Sequence, residues 1–243
     1  MTGSCILTYH SLDNSGSVIS IPPAVFREQM EWLAANGVPV VPLDRIRETP
    51  GAVALTFDDG FRNFFEQGAP LLRQYGFPAT VFAVSGFCGG WNDWPGNAGI
   101  PRLQLMSWQE LEQLAKAGIT VGCHTATHPY LSRLPAADLE EELYRSRSAI
   151  EDRIGMAVET FAYPYGDLTR RERQAASRHF RLACGTRLAF LSAGCDALDL
   201  PRVDAYYLRS RFWFRGLDKA YGSAYLAARS WLRVVRQRLT TPP

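Results

Sequence analysis

Lysine is almost missing from this sequence. Lys116 and Lys219 are the only two, so arginine carries nearly all the positive charge and an Arg-rich stretch is by itself weak information. No apolar run approaches the ~18–20 residues that a membrane-crossing helix needs, which leaves no candidate span. No Cys-x-x-Cys pair occurs. The five cysteines, Cys5, Cys88, Cys123, Cys184 and Cys195, are odd in number and widely spaced, which argues against a disulfide scaffold or a zinc ribbon. They read as small buried apolar residues in a reducing compartment. The opening MTGSCILTYHSL has no basic stretch ahead of its short apolar run, so no secretory signal is read there. The expected location is the cytoplasm, or the inner face of a membrane. A net charge of +2 gives no reason to expect a nucleic-acid partner. Internal repeats and low-complexity segments are also absent.

The 243 residues, 47% of them apolar, suffice for one large domain with a sizeable core. Charge is unevenly placed. Residues 201–243 hold eight Arg and one Lys against two Asp, a net +7, which leaves −5 on residues 1–200. A mildly acidic body, residues 1–215, is expected to precede a basic helical extension, residues 216–243.

Strand-like and helical patterns alternate. Ile6–Tyr9, Val38–Val41, Val53–Phe57, Ala79–Val84, Ile119–Gly122, Thr160–Tyr163 and Leu182–Cys184 read as strands. Ala24–Asn36, Glu66–Tyr75 and Ala136–Ile154 have helical spacing, each followed by a glycine that can end the helix. Ser107-x-x-Glu110 is a capping box opening another helix. Val53–Phe57 is apolar on both faces, as a buried parallel strand is. Alternation of this kind predicts a parallel sheet with crossover helices, with chemistry at the C-terminal strand ends. His10, Asp58–Asp59, His124 and Tyr165 all fall at such ends. Ser85–Leu105 is too long for a plain connection and reads as a functional loop.

Two constellations carry chemistry. Asp58–Asp59–Gly60 places adjacent carboxylates after a buried strand, where they repel and lose hydration unless a cation or proton is near. One Asp could serve as a helix cap; two rarely both do. His124-Thr-Ala-Thr-His128 holds half of the chain's four histidines. Read alone, it is a metal-binding turn or merely a polar one. Combined, Asp59, His124 and His128 make a two-His, one-carboxylate set with open positions, and Asp58 stays free as a base.

Thr56-Phe57-Asp58-Asp59-Gly60 resembles the first motif of the polysaccharide deacetylase (NodB-homology) family. His124-Thr-Ala-Thr-His128 is similar to its second motif, and Phe161-Ala-Tyr-Pro164-Tyr165-Gly166 to its third. Leu200-Pro-Arg202-Val203 is similar to a late segment of bacterial members. The resemblance covers roughly residues 5–205. It implies a distorted (β/α) barrel of the TIM-like kind, with parallel strands and outer helices. It also implies a divalent metal on Asp59, His124 and His128: zinc foremost, with cobalt, nickel or manganese as alternatives. The implied activity is hydrolytic de-N-acetylation of an N-acetylated sugar, as in exopolysaccharide biosynthesis. Asp58 would be the base, and the Tyr165 backbone N–H would help hold the oxyanion.

The chain departs from the family pattern twice. Where members often have an arginine orienting the base, it has Ala162, and Arg202 is the expected replacement. No histidine follows Arg202 to act as general acid, so His10 is the candidate proton donor; His179 reads as a surface residue. Trp91 and Trp94 of the long loop, with Pro164 and Tyr165, are candidate substrate contacts, although the tryptophans would serve equally well to pin the loop. In Tyr225–Leu239, Ala228, Trp231, Leu232, Val235 and Leu239 fall on one side and Arg229, Arg233 and Arg236 on another. That is either an interfacial helix making peripheral membrane contact or a packed last helix with its arginines in solvent. The substrate is then an N-acetylated glycan or a lipid-linked sugar. Two competing readings are a C–N hydrolase of a small amide and a catalytically silent carbohydrate-binding relative.

Overall fold

The computed structural model describes residues 3–97, 99–217 and 219–240, the last stretch with side chains as far as 233. Seven short strands form one sheet: β1 Cys5–Tyr9, β2 Val53–Phe57, β3 Thr80–Ala83, β4 Thr120–Cys123, β5 Thr160–Ala162, β6 Leu182–Cys184 and β7 Val203–Asp204. They lie in the order β6-β5-β4-β3-β2-β1-β7, and every neighbouring pair is parallel. β1 and β2 are buried at each position, as parallel strands covered on both faces must be.

The sheet curls because one segment serves both of its edges. Leu200 bridges to Cys184 in β6: its N–H donates to the Ala183 carbonyl (2.8 Å), and its own carbonyl accepts from Gly185 N–H (3.0 Å). Three residues later Val203 pairs with Leu7 in β1. Residues 200–204 thus draw the open edges together into a distorted barrel, and Arg202 sits between the two contacts.

The helices are α1 Pro23–Ala35, α2 Ala69–Tyr75, α3 Trp108–Lys116, α4 Ala136–Ile154, α5 Arg170–Ala176, α6 Arg211–Phe214 and α7 Ala220–Thr240. α4 buries Leu139, Leu143 and Ile150 at helical spacing, and Gly155 ends it with φ 65°. The Ser107–Glu110 capping box forms with both of its bonds, at 2.8 and 3.2 Å. A second box, Thr169–Glu172, opens α5, an element that sequence reading missed although the same signal stands there.

Two expectations change. Val38–Val41 is not a strand; Val40 makes only an isolated bridge to Val53. The helix expected from Glu66 begins as a π turn over Phe64–Gly68 and becomes α-helical only at Ala69. The long loop is tied back by bridges from Phe61 to Leu105 and from Trp91 to Gln104.

In α7, Leu226 is buried while Ala228, Trp231 and Leu232 are exposed. Arg229 and Arg233 turn toward the barrel mouth instead of open solvent. The side chains of Val235, Arg236 and Leu239 lie outside the described residues. Among the described residues, no helix is long and apolar enough to cross a membrane.

Candidate metal centre and active-site cleft

A cleft of about 580 Å³ opens at the C-terminal ends of the strands. It collects side chains far apart in sequence: His10 after β1, Asp58 and Asp59 after β2, His124 and His128 after β4, Tyr165 after β5, and Arg202 before β7. The backbone is unusual at these very points. Among the described residues, the non-glycine residues with positive φ are Asp59 (70°), Thr125 (66°), His128 (58°) and Tyr165 (59°). Left-handed backbone is costly for such residues, most of all for β-branched Thr125, and it persists only where surrounding bonds impose it.

Those bonds can be named. The Thr125 hydroxyl accepts the His128 N–H (2.9 Å). From α4, the Glu142 carboxylate accepts the N–H groups of Ala126 and Thr127 (both 2.9 Å) and the Thr127 hydroxyl (2.7 Å). The Ala126 carbonyl accepts from Gly86 N–H at 2.9 Å, where a Cβ on Gly86 would lie 2.5 Å from that oxygen. The turn that carries both histidines is therefore clamped from two sides.

Donor atoms of Asp59, His124 and His128 all lie within 4.8 Å of one another, and all three residues are buried. His124 Nδ1 lies 2.7 Å from the Ala162 carbonyl. A carbonyl can only accept, so Nδ1 carries the proton and a neutral ring turns the lone pair of Nε2 inward. That Nε2 faces Asp59 Oδ1 at 3.3 Å, and His128 Nε2 faces the same oxygen at 3.4 Å. Asp59 Oδ1 is buried without a hydrogen bond of normal geometry. Two ring nitrogens facing one buried carboxylate oxygen favour a cation among them. A proton meets the need only in part: burial holds the His128 pKa down despite Asp59 beside it. His124 goes the other way, as Asp59, Asp58 and the Ala162 carbonyl outweigh its burial and raise its pKa. Two imidazoles and one carboxylate fit a borderline divalent ion, and the donor set suits zinc chemistry.

The His128 ring is fixed by packing, with Trp94 and Tyr165 each 4.6 Å away between ring centroids and Tyr130 stacked on Tyr165 at 4.0 Å. Trp94 is buried in this wall. Trp91 is not part of the cleft; it lies on the outer face of the loop beneath the Arg102 guanidinium, 4.3 Å from its ring centre. Pro164 is buried and begins the turn that presents Tyr165. His179 lies elsewhere, 2.9 Å from Glu140.

Asp58 is held by Arg202 in a fully buried, two-pronged pair. Nη1 and Nη2 donate to Oδ1 and Oδ2, both at 2.7 Å, and Nε donates to the Gly185 carbonyl at 2.8 Å. Burial would raise the Asp58 pKa, but Arg202, with His124 and His10 behind it, keeps the carboxyl below its usual range. His10 Nε2 stands 3.9 Å from Asp58 Oδ2 on the open side of the cleft. The position left empty of arginine at Ala162 thus supplies a backbone carbonyl to His124, and the guanidinium arrives from the segment that closes the sheet.

A sequence profile described as polysaccharide deacetylase matches residues 45–180, more than half of the chain. YxkH of Bacillus subtilis is 24% identical over 181 residues, covering 71% of this chain and 60% of YxkH. The poly-beta-1,6-N-acetyl-D-glucosamine N-deacetylase of Escherichia coli is 26% identical over 169 residues, 62% of this chain and 25% of that protein. The chain thus spans less than two thirds of either relative. The solved structure of IcaB from Ammonifex degensii superposes with a TM-score of 0.73 at 25% identity, covering 85% of this chain and 94% of that one.

Glu142 touches neither a ligand atom nor the cleft, yet its three bonds hold the turn carrying His124 and His128. Glu142→Ala should keep the fold and lose about 10–100-fold in zinc affinity, the usual cost of removing support behind a ligand. Calorimetric zinc titration of both proteins checks this; equal affinities would remove Glu142 from the site.

Proposed function

The chain belongs to the polysaccharide deacetylase family, and from that premise we propose that it hydrolyses the acetamido group of an N-acetylated glycan with the help of a divalent metal. The observation that carries the proposal is the buried convergence of Asp59, His124 and His128 beside a carboxylate, Asp58, that Arg202 keeps ionised. The name of the Escherichia coli relative favours a polymer of N-acetylglucosamine as substrate class. A lipid-linked precursor of such a glycan fits the same site. The silent-relative reading would need a missing base or ligand, and none of the four residues is missing.

Asp59, His124 and His128 would hold the ion, zinc foremost. When bound, it supplies a Lewis acid for the acyl oxygen and for the attacking water. Asp58 takes the proton from that water. Its two-pronged pairing with Arg202 fixes its aim and keeps it charged in a buried site. The Tyr165 backbone N–H, presented by a left-handed residue at the cleft, donates to the developing oxyanion. His10, whose Nε2 stands 3.9 Å from Asp58 Oδ2, hands a proton to the departing amine. The Trp94–His128–Tyr165 stack keeps bulk water from the acyl carbon.

Asp58→Asn is nearly isosteric and leaves the metal ligands in place. It should lose roughly 10²–10⁴-fold in acetate release, the scale of general acid–base catalysis, and His10→Ala should fall within the same range. Chelation should abolish turnover and added zinc should restore it. Near-normal turnover in Asp58→Asn, or full turnover after exhaustive chelation, would move the chemistry elsewhere.

We also place the enzyme in the cytoplasm, in peripheral contact with the inner membrane face. Support comes from five cysteines without a disulfide and from the exposed Phe212, Trp231 and Leu232 near the C-terminal helix. Anionic liposomes should float the full chain at low salt, and Trp231→Ala with Leu232→Ala should reduce that binding. A chain that stays in the soluble fraction would refute the contact.

A further inference from the structure

α7 is seated on the barrel mouth at fixed points. Tyr225 stacks on Trp213 with centroids 3.8 Å apart, and its hydroxyl donates to the Tyr207 carbonyl at 3.1 Å. Arg233 donates to the Thr186 carbonyl at 2.9 Å and to its hydroxyl at 3.1 Å. Arg229 and Arg233 stand four residues apart, so they share one helix face, and that face lines the same cleft as Asp58 and His124.

Among the described residues, twelve arginines lie within 4 Å of a carboxylate, and neither Arg229 nor Arg233 is one of them. Arg229 lies over the Tyr207 ring at 4.8 Å, and its Nε–H is buried with no hydrogen-bond partner. A buried guanidinium N–H is costly without an acceptor, so the position favours an oxygen beside it. The carboxylates facing the pair do not provide it. Asp58 is taken by Arg202, and Asp59 belongs to the metal set. Asp204 accepts from Tyr206 N–H, and its one carboxylate leaves the two guanidiniums in excess. His10 adds no negative charge. The outer part of the cleft is thus cationic, whereas the sugar of a simple acetamido polymer carries no anion for it to meet.

We propose that Arg229 and Arg233 form a subsite for an anionic group, phosphoryl or carboxylate, carried by the acetamido glycan beside the sugar that is deacetylated. Guanidinium forks match either oxyanion. The inference rests on the deacetylase reading for its substrate, and its test separates the two.

Equilibrium binding and acetate release are measured on the full-length, zinc-loaded protein. The three ligands are N-acetylglucosamine 1-phosphate, N-acetylglucosamine linked to glucuronic acid, and neutral diacetylchitobiose. At least one anionic ligand should bind on the order of tenfold or more tighter than the neutral one, the scale of a charge-assisted contact. The stronger of the two identifies the group as phosphoryl or carboxylate. Arg229→Gln breaks no internal hydrogen bond and should erase most of that preference. Arg233→Gln should reduce it, and Arg233→Lys should restore part of it. Equal binding of charged and neutral ligands by the native protein would overturn the subsite, as would a preference surviving in both glutamine variants. A preference that these variants erase, with no acetate released from any ligand, would uphold the subsite and discard the deacetylase reading.

Discussion

The buried pair between Arg202 and Asp58 is the contact on which the rest of this structure turns. It joins the end of β2 to the segment that closes the sheet between β6 and β1. The same guanidinium holds the Gly185 carbonyl, and the Arg202 N–H donates to the Arg187 carbonyl, so the loop after β6 is fastened as well. Two buried charges of opposite sign are weak evidence of net stability, because desolvation offsets much of their attraction. Removing one partner is another matter: it strands the other and costs about 3–5 kcal/mol. The ionised state of the base and the seating of the closing segment therefore share one interaction.

A second constraint lies in the backbone. Asp59, Thr125, His128 and Tyr165 occupy left-handed conformations that their side chains disfavour, and all four belong to the loops around the cleft. Strain of this kind needs support, which Glu142, the Thr125 hydroxyl and the close approach of Gly86 to Ala126 supply. The buried Asp59 Oδ1, faced by both imidazoles and without a hydrogen bond of normal geometry, adds an electrostatic cost that a cation relieves. The site is built to be completed by an ion, with its ligands aimed in advance.

Much of this was legible in the sequence. Adjacent carboxylates after an apolar run and paired histidines after another stand out because few local structures need either. The resemblance to the family, with Ala162 where members often have arginine, pointed to Arg202 on the Leu200-Pro-Arg202-Val203 segment. Other features were hidden for physical reasons. β7 is two residues long, too short for any period, and Val38–Val41 has strand composition without a partner along its length. Left-handed φ at Thr125 or His128 leaves no trace in residue type. Trp91 and Trp94 look alike in sequence, yet one packs on His128 and the other on a surface arginine. The basic side of α7 was visible, but periodicity gives a face and not its neighbour. Arg229 and Arg233 face the cleft, which no spacing rule could have said.

The central claim is that Asp59, His124 and His128 hold one divalent ion beside Asp58. Anomalous diffraction at the zinc edge from zinc-soaked crystals tests it most directly. The account predicts one strong peak at roughly 2.0–2.2 Å from His124 Nε2, His128 Nε2 and an Asp59 oxygen. It also predicts that Asp58 remains on Arg202 and off the ion. A peak ligated by Asp58, or no peak within reach of the two histidines, would contradict it.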